Sequence, residues 1–175
     1  MALQGRARCA PSSLVRDARL IALHEAGHVI VARALGLVVT RVTIEPVFDP
    51  HYEKWARGMT WIKATGDHAR DFSPAMRARL RREAIFSLAG PAAERHAFGQ
   101  VPRGEDGIDA QVAEWLLSRD TKARDLPRVL RAARATADQL VSKRWPAIER
   151  LAAALMLHRT LTAASLTRRD VTRNF

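Results

Sequence analysis

Ile21-Ala22-Leu23-His24-Glu25-Ala26-Gly27-His28-Val29-Ile30-Val31 is the stretch on which the reading of the whole chain turns. It holds the pattern H-E-x-x-H within helical periodicity. Ile21, His24, His28, Val31 and Leu35 recur at spacings of 3, 4, 3 and 4, so the run reads as one amphipathic helix with both histidines on its apolar stripe. Residues four apart on a helix sit one above the other, about 5–6 Å apart at Cβ, and two imidazoles so placed can share one tetrahedral ion. Glu25 falls on the flank of that face, where a carboxylate can take a proton from a zinc-activated water. The bland alternative is a pair of core histidines satisfied by hydrogen bonds. It is the weaker reading, because a helix-buried pair flanked by Glu is chemically odd without a metal.

The 175 residues suit one domain with a real core. Residues 1–12, with Gly5, Cys9 and Pro11, read as a flexible N-terminal tail ending in Ser12 or Ser13 as a helix cap, and residues 13–175 as a single domain. Apolar residues make up 47%, much of it Ala, with one Tyr and five Phe, which favours helices packed through small residues. The expected fold is therefore mainly α (α+β), a helical domain with a small β-hairpin or sheet after the motif helix. The lone Cys9 cannot form an internal disulfide, and neither a signal-type apolar core nor a run of about 18 apolar residues is present. A soluble, cytoplasmic protein without a membrane span is the expectation.

The formal net charge of +11 favours acidic partners in general. Arg77, Arg79, Arg81 and Arg82, like Arg128, Arg131 and Arg134, lack interleaved aromatics or a nucleic-acid motif, so they read as solvated helix faces and make nucleic acid an unfavoured partner.

After Gly36 as a helix stop, Val38 to Ile44 is β-branched almost throughout and predicts a strand closed by Pro46. Met59 to Ala64, after Gly58, predicts a second strand able to pair with the first as a hairpin. Between them, Val47 to Arg57, with Pro50, His51, Tyr52 and Trp55, reads as a flap beside a site. Ser73-Pro74 caps a helix running through Leu88, which Gly90-Pro91 should break or kink, and Gly99 ends the next element. A helix follows in which Asp109, Val112, Ala113 and Leu116 share a face, so that Asp109 points where only apolar residues otherwise go; a metal would compensate it. The last third reads as helices started or interrupted by Pro127 and Pro146, with Thr167 and Asp170 as a capping box for a short terminal turn.

These motifs, in this order, resemble the peptidase domain of the FtsH-type membrane AAA+ zinc proteases. Beside H-E-x-x-H and the β-branched strand, Ser87-Leu88-Ala89-Gly90-Pro91-Ala92-Ala93-Glu94, then Phe98-Gly99, is similar to that family's L-G-G-R-A-A-E-E followed by F-G. A Gly-containing loop ending in an Asp follows, with an Ala four residues on, here Asp109 and Ala113. The resemblance covers roughly residues 13 to 120. It implies His24, His28 and Asp109 as zinc ligands and Glu25 as the catalytic base. Asp106 competes for the third ligand, because the loop Gly104 to Asp109 is one residue longer than the usual pattern; register with Ala113 and helix face favour Asp109. Pro91 stands where the family has Arg, and no ATPase module or membrane anchor accompanies the motifs.

The expected activity is zinc-dependent peptide-bond hydrolysis, ATP-independent by itself, on a protein or peptide substrate, with a separate ATPase or regulatory partner and an oligomer left open. The alternative is a non-catalytic, zinc-stabilised helical module that binds an acidic partner or nucleic acid. Three protein ligands beside a Glu argue against it, since structural zinc sites use four. Glu94 is a candidate to orient a ligating histidine, with helix packing or a salt bridge the favoured role, and His51, His68, His96 and His158 have no paired spacing. Trp55 and Trp61 read equally as cleft walls or hairpin packing.

Overall fold

The computed structural model describes residues 18–49, 53–64, 73–99 and 107–167. Helix α1 (Ala18–Ala34) carries the motif; then come strands β1 (Val39–Thr43), β2 (Val47–Asp49), β3 (Lys54–Ala56) and β4 (Met59–Ile62). Helices α2 (Pro74–Ser87), α3 (Ala89–Phe98), α4 (Gly107–Ser118), α5 (Leu126–Lys143) and α6 (Trp145–His158) lead to strand β5 (Thr160–Thr162) and a single turn, α7 (Ala163–Leu166). The protein is mainly helical with a small antiparallel sheet, as composition predicts. Among the described residues no helix is long and apolar enough to cross a membrane.

The motif helix departs from the amphipathic expectation. From Ile21 to Ala32 every residue of α1 except His24 is buried, because α3 and α6 cover it on different sides and β1, β4, α2 and α5 touch it as well. A helix apolar nearly all round belongs in the middle of a core. Small residues let α3 come close: a Cβ on Gly27 would lie 2.8 Å from both the Ala89 carbonyl oxygen and the Ala93 side chain.

The predicted strand pair forms, with β1 and β4 antiparallel, but the strands are not a free hairpin. β5 joins the other edge of β1, giving the order β4-β1-β5, and β2 pairs with β3 as a separate two-stranded sheet where the sequence suggested only a flap. Between Val39 and Arg41 the register shifts, so that Arg41 faces Trp61, Val42 faces Thr60 and Thr43 faces Met59. Entry into β5 depends on Arg159, whose φ of 62° turns the chain at the end of α6 while its carbonyl accepts from the Ile44 amide at 2.9 Å. A left-handed arginine where glycine is usual leaves no glycine signal in the sequence.

Ser73 caps α2 as expected, its hydroxyl accepting from the Met76 amide, with Pro74 at the first position. The helix breaks at Leu88 rather than at Gly90-Pro91, which both fall in the first turn of α3, where a missing amide costs no intrahelical bond. Gly99 ends α3 with φ of 75°, as read. The short terminal helix is α7, capped by Thr162; Thr167 closes it instead of opening a turn, and Asp170 lies outside the described residues, as do residues 1–17 with Ser12 and Ser13.

An ion pair within α2, largely withdrawn from water, holds the arginine that ties the end of β4 to that helix. Arg79 Nε meets Glu83 Oε1 at 2.6 Å, while Arg79 Nη2 donates to the Lys63 carbonyl at 2.7 Å, one residue beyond the strand. Both side chains are largely withdrawn from water, so removing the carboxylate leaves a guanidinium without its counter-charge. Glu83→Ala should therefore lower unfolding stability by about 3–5 kcal/mol, read from urea denaturation. A loss below about 1 kcal/mol, the scale of exposed pairs, would show that water reaches the pair.

Candidate metal centre

The sequence-derived trio meets at one point. His24 Nε2 lies 3.0 Å from His28 Nε2 and 3.1 Å from Asp109 Oδ2, and His28 Nε2 lies 3.6 Å from the same oxygen. Tetrahedral zinc with bonds of about 2.0–2.1 Å spaces its ligand atoms about 3.3–3.4 Å apart, so the triangle has the size such an ion requires. His24 and His28 reach it from successive turns of α1. Asp109 reaches it from the first turn of α4, where a carboxylate is also favoured by the positive end of the helix dipole. Asp106 lies outside the described residues, as do His51 and His68. Among the described residues no fourth His, Cys, Asp or Glu joins the group.

The outer nitrogens of both rings are already committed. His28 Nδ1 is 2.8 Å from the Phe86 carbonyl oxygen, which can only accept, so Nδ1 carries the hydrogen and Nε2 of the neutral ring presents a lone pair inward. His24 Nδ1 is 2.7 Å from Glu94 Oε1, and an ionised Glu94 fixes that ring the same way. Two ring lone pairs and a carboxylate oxygen then converge within 3.6 Å. Such a cluster needs a proton or a cation at its centre. Burial alone would push the His24 pKa down, but the carboxylates of Asp109 and Glu94 outweigh it and hold it well above the ordinary histidine value. Burial would likewise raise Asp109, yet the facing imidazoles of His28 and His24 hold it well below the usual carboxylate range.

The surroundings fit a metal at the same place. Gly90 leaves open the space beside both ring tips: a Cβ there would lie 2.4 Å from His24 Nε2 and 2.5 Å from His28 Nε2. Glu94, which the sequence favoured as a packing or salt-bridge residue, is buried and ion-paired with His24, and the same contact is the arrangement by which a carboxylate orients a metal-binding imidazole. His96, whose ring is tilted against that of Trp145 at 4.4 Å between centroids, and His158, on the exposed end of α6, stand apart from the cluster.

Glu25 is buried beside the trio, on the helix that carries both histidines. Its Oε2 accepts from the Thr60 hydroxyl at 2.7 Å. Burial raises its pKa, partly offset by His24, His28 and Thr60. These groups open into a cleft of about 640 Å³ whose walls include Trp55 and Ala56 of β3, Met59 and Thr60 of β4, Phe86 of α2 and Ile108 and Val112 of α4. Trp55 is thus a cleft wall, packed at 5.7 Å against Phe48, while Trp61 sits under the Arg41 guanidinium across the β1–β4 ladder. Sequence reading did not find three contributors: the Phe86 carbonyl, Thr60 and the bare face of Gly90.

Purified protein should take up one zinc equivalent, measured by competition with a chromophoric chelator. Gly90→Ala should abolish uptake by filling the space between the ring tips, and Glu94→Gln should weaken it about 10- to 100-fold. Equal affinity in all three proteins would exclude this centre. Searches against protein-family models and against curated proteins find no match, so the functional reading rests on the geometry of the site.

Proposed function

We propose that the chain is a zinc-dependent endopeptidase of zincin-like construction, similar to the FtsH-type peptidase domain. The observation that carries this is the convergence of His24 Nε2, His28 Nε2 and Asp109 Oδ2 beside the buried Glu25 at the floor of an open cleft. A divalent ion held by those three atoms would supply a Lewis acid for the scissile carbonyl and for water.

The protein's own residues supply the rest. Phe86 and Glu94 keep both imidazoles in the tautomer that offers Nε2 inward. The Glu25 carboxylate takes a proton from the attacking water and delivers it to the amine nitrogen as the C–N bond breaks. Thr60 anchors one of its oxygens. The substrate chain lies in the cleft in extended form. β1 cannot align it by strand addition, because β4 and β5 occupy both of its edges, but among the described residues β4 pairs only with β1, and its Met59 and Thr60 line the cleft. β4 is therefore the strand on which a peptide would pair.

Three protein donors support catalysis over the non-catalytic, metal-stabilised alternative. A cleft able to take an extended chain fits flexible peptide or unstructured protein segments, and the substrate, rather than nucleic acid, is the partner. The test is hydrolysis of an unstructured fluorogenic peptide by zinc-loaded protein in the absence of ATP. Turnover should vanish with chelator and return with zinc, and Glu25→Gln should reduce kcat at least about 10³-fold while one zinc remains bound. Zinc binding without wild-type cleavage would turn the reading toward the non-catalytic module; cleavage undiminished in Glu25→Gln would remove Glu25 as the base.

A further inference from the structure

The base has a second support, from outside its own helix. Thr60 stands opposite Val42 in the β1–β4 ladder, and residues directly opposite one another project from the same face. Val42 is fully buried, so this face is the inner one, turned toward α1. The register shift between Val39 and Arg41 belongs to the same pairing, and a slip of one residue would turn Trp61 inward and the Thr60 hydroxyl away.

The hydroxyl donates to Glu25 Oε2 at 2.7 Å and lies 3.5 Å from the Glu25 carbonyl oxygen, so it touches both the side chain and the backbone of the residue. It has one proton, and the shorter, charge-assisted contact takes it. The turn leading into β4 closes on the same side chain: a Cβ on Gly58 would lie 2.9 Å from Glu25 Cγ and Oε1. A glutamate has three side-chain torsions, and an unanchored carboxylate would spread over several rotamers. Here one torsional arrangement is selected by a strand whose position is set by the sheet.

We propose that Thr60 is the positioning residue for Glu25: its hydroxyl holds the carboxylate in the orientation that meets the attacking water, so the edge strand that would align the substrate also aligns the base. This rests on the peptidase reading. It adds that the orientation of Glu25 is not a property of the H-E-x-x-H helix alone. Displacing a reacting group by about 1 Å can cost about 10²-fold in rate, which sets the size of the effect.

The experiment uses the full chain with zinc and the fluorogenic peptide. Thr60→Val should lower kcat about 10²-fold with KM changed less than about twofold and one zinc still bound, whereas Thr60→Ser should recover to within about threefold of wild type. Thr60→Ala, which removes the hydroxyl without placing a methyl in its position, should give the same split if the valine variant folds poorly. A readout independent of turnover comes from metal-free protein. The losses in unfolding midpoint of Thr60→Val and Glu25→Ala should be non-additive in the double variant, because each removes the same contact. Full kcat in Thr60→Val or Thr60→Ala, a rise in KM alone, or additive midpoint losses would each overturn the proposal. Absence of cleavage by the zinc-loaded wild type would instead overturn the peptidase reading on which it rests.

Discussion

Everything about this site follows from how closely α1 can approach the α2–α3 junction. At the crossing the facing positions are Gly27 on one side and Ala89, Gly90 and Ala93 on the other, and a single added Cβ at Gly27 or Gly90 would collide with its neighbours. The close approach buries α1 nearly all round and makes it the axis of the core. It also brings the Phe86 carbonyl and the Glu94 carboxylate within 2.8 Å of the two Nδ1 atoms. The break at Leu88 contributes here, since it takes from the Phe86 carbonyl the amide four residues on that a continuous helix would supply. One packing contact thus does two things: it fills the core and it fixes which nitrogen of each imidazole faces inward.

That orientation creates an electrostatic demand. Each ring spends its hydrogen outward, and the inward atoms meet a carboxylate oxygen from another helix. In a buried setting three electron-rich atoms in mutual contact cannot be left without positive charge between them. A proton on His24 meets the demand at the cost of one lone pair, as the upward shift of that residue reflects. A divalent cation meets it using all three. The same group is therefore a poor arrangement for packing alone and a good one for holding a metal.

Much of this was legible in the sequence, and the unread parts have identifiable reasons. H-E-x-x-H fixed the two imidazoles by helical spacing, and Asp109 stood out as a charge on an otherwise apolar helix face. Ser73-Pro74 and Gly99 marked real helix ends because capping chemistry is local. The Phe86 contact could not be read, because a backbone carbonyl has no residue identity. β5 went unseen because it is three residues long and entered through a left-handed Arg159, with neither alternation nor glycine to announce it. The burial of α1 was under-read for a different reason: alanine and glycine outside its apolar stripe look neutral in a periodicity count, yet they are what admits a neighbouring helix.

Thr60 illustrates a deeper limit. Its role depends on which face of β4 it occupies, and that is decided by the register with β1, including the shift between Val39 and Arg41. Register in turn depends on what lies beyond the strand, where Arg79 ties the Lys63 carbonyl to α2. A residue on α2, the next element along the chain, therefore helps to decide whether a hydroxyl meets the Glu25 carboxylate. With the two edges of β1 occupied, β4 carries, among the described residues, both an unpaired edge and the anchor of the base. Under the proposed reading the distance between aligned peptide and base is then an internal dimension of one short strand, which loops and helices can vary around without changing it.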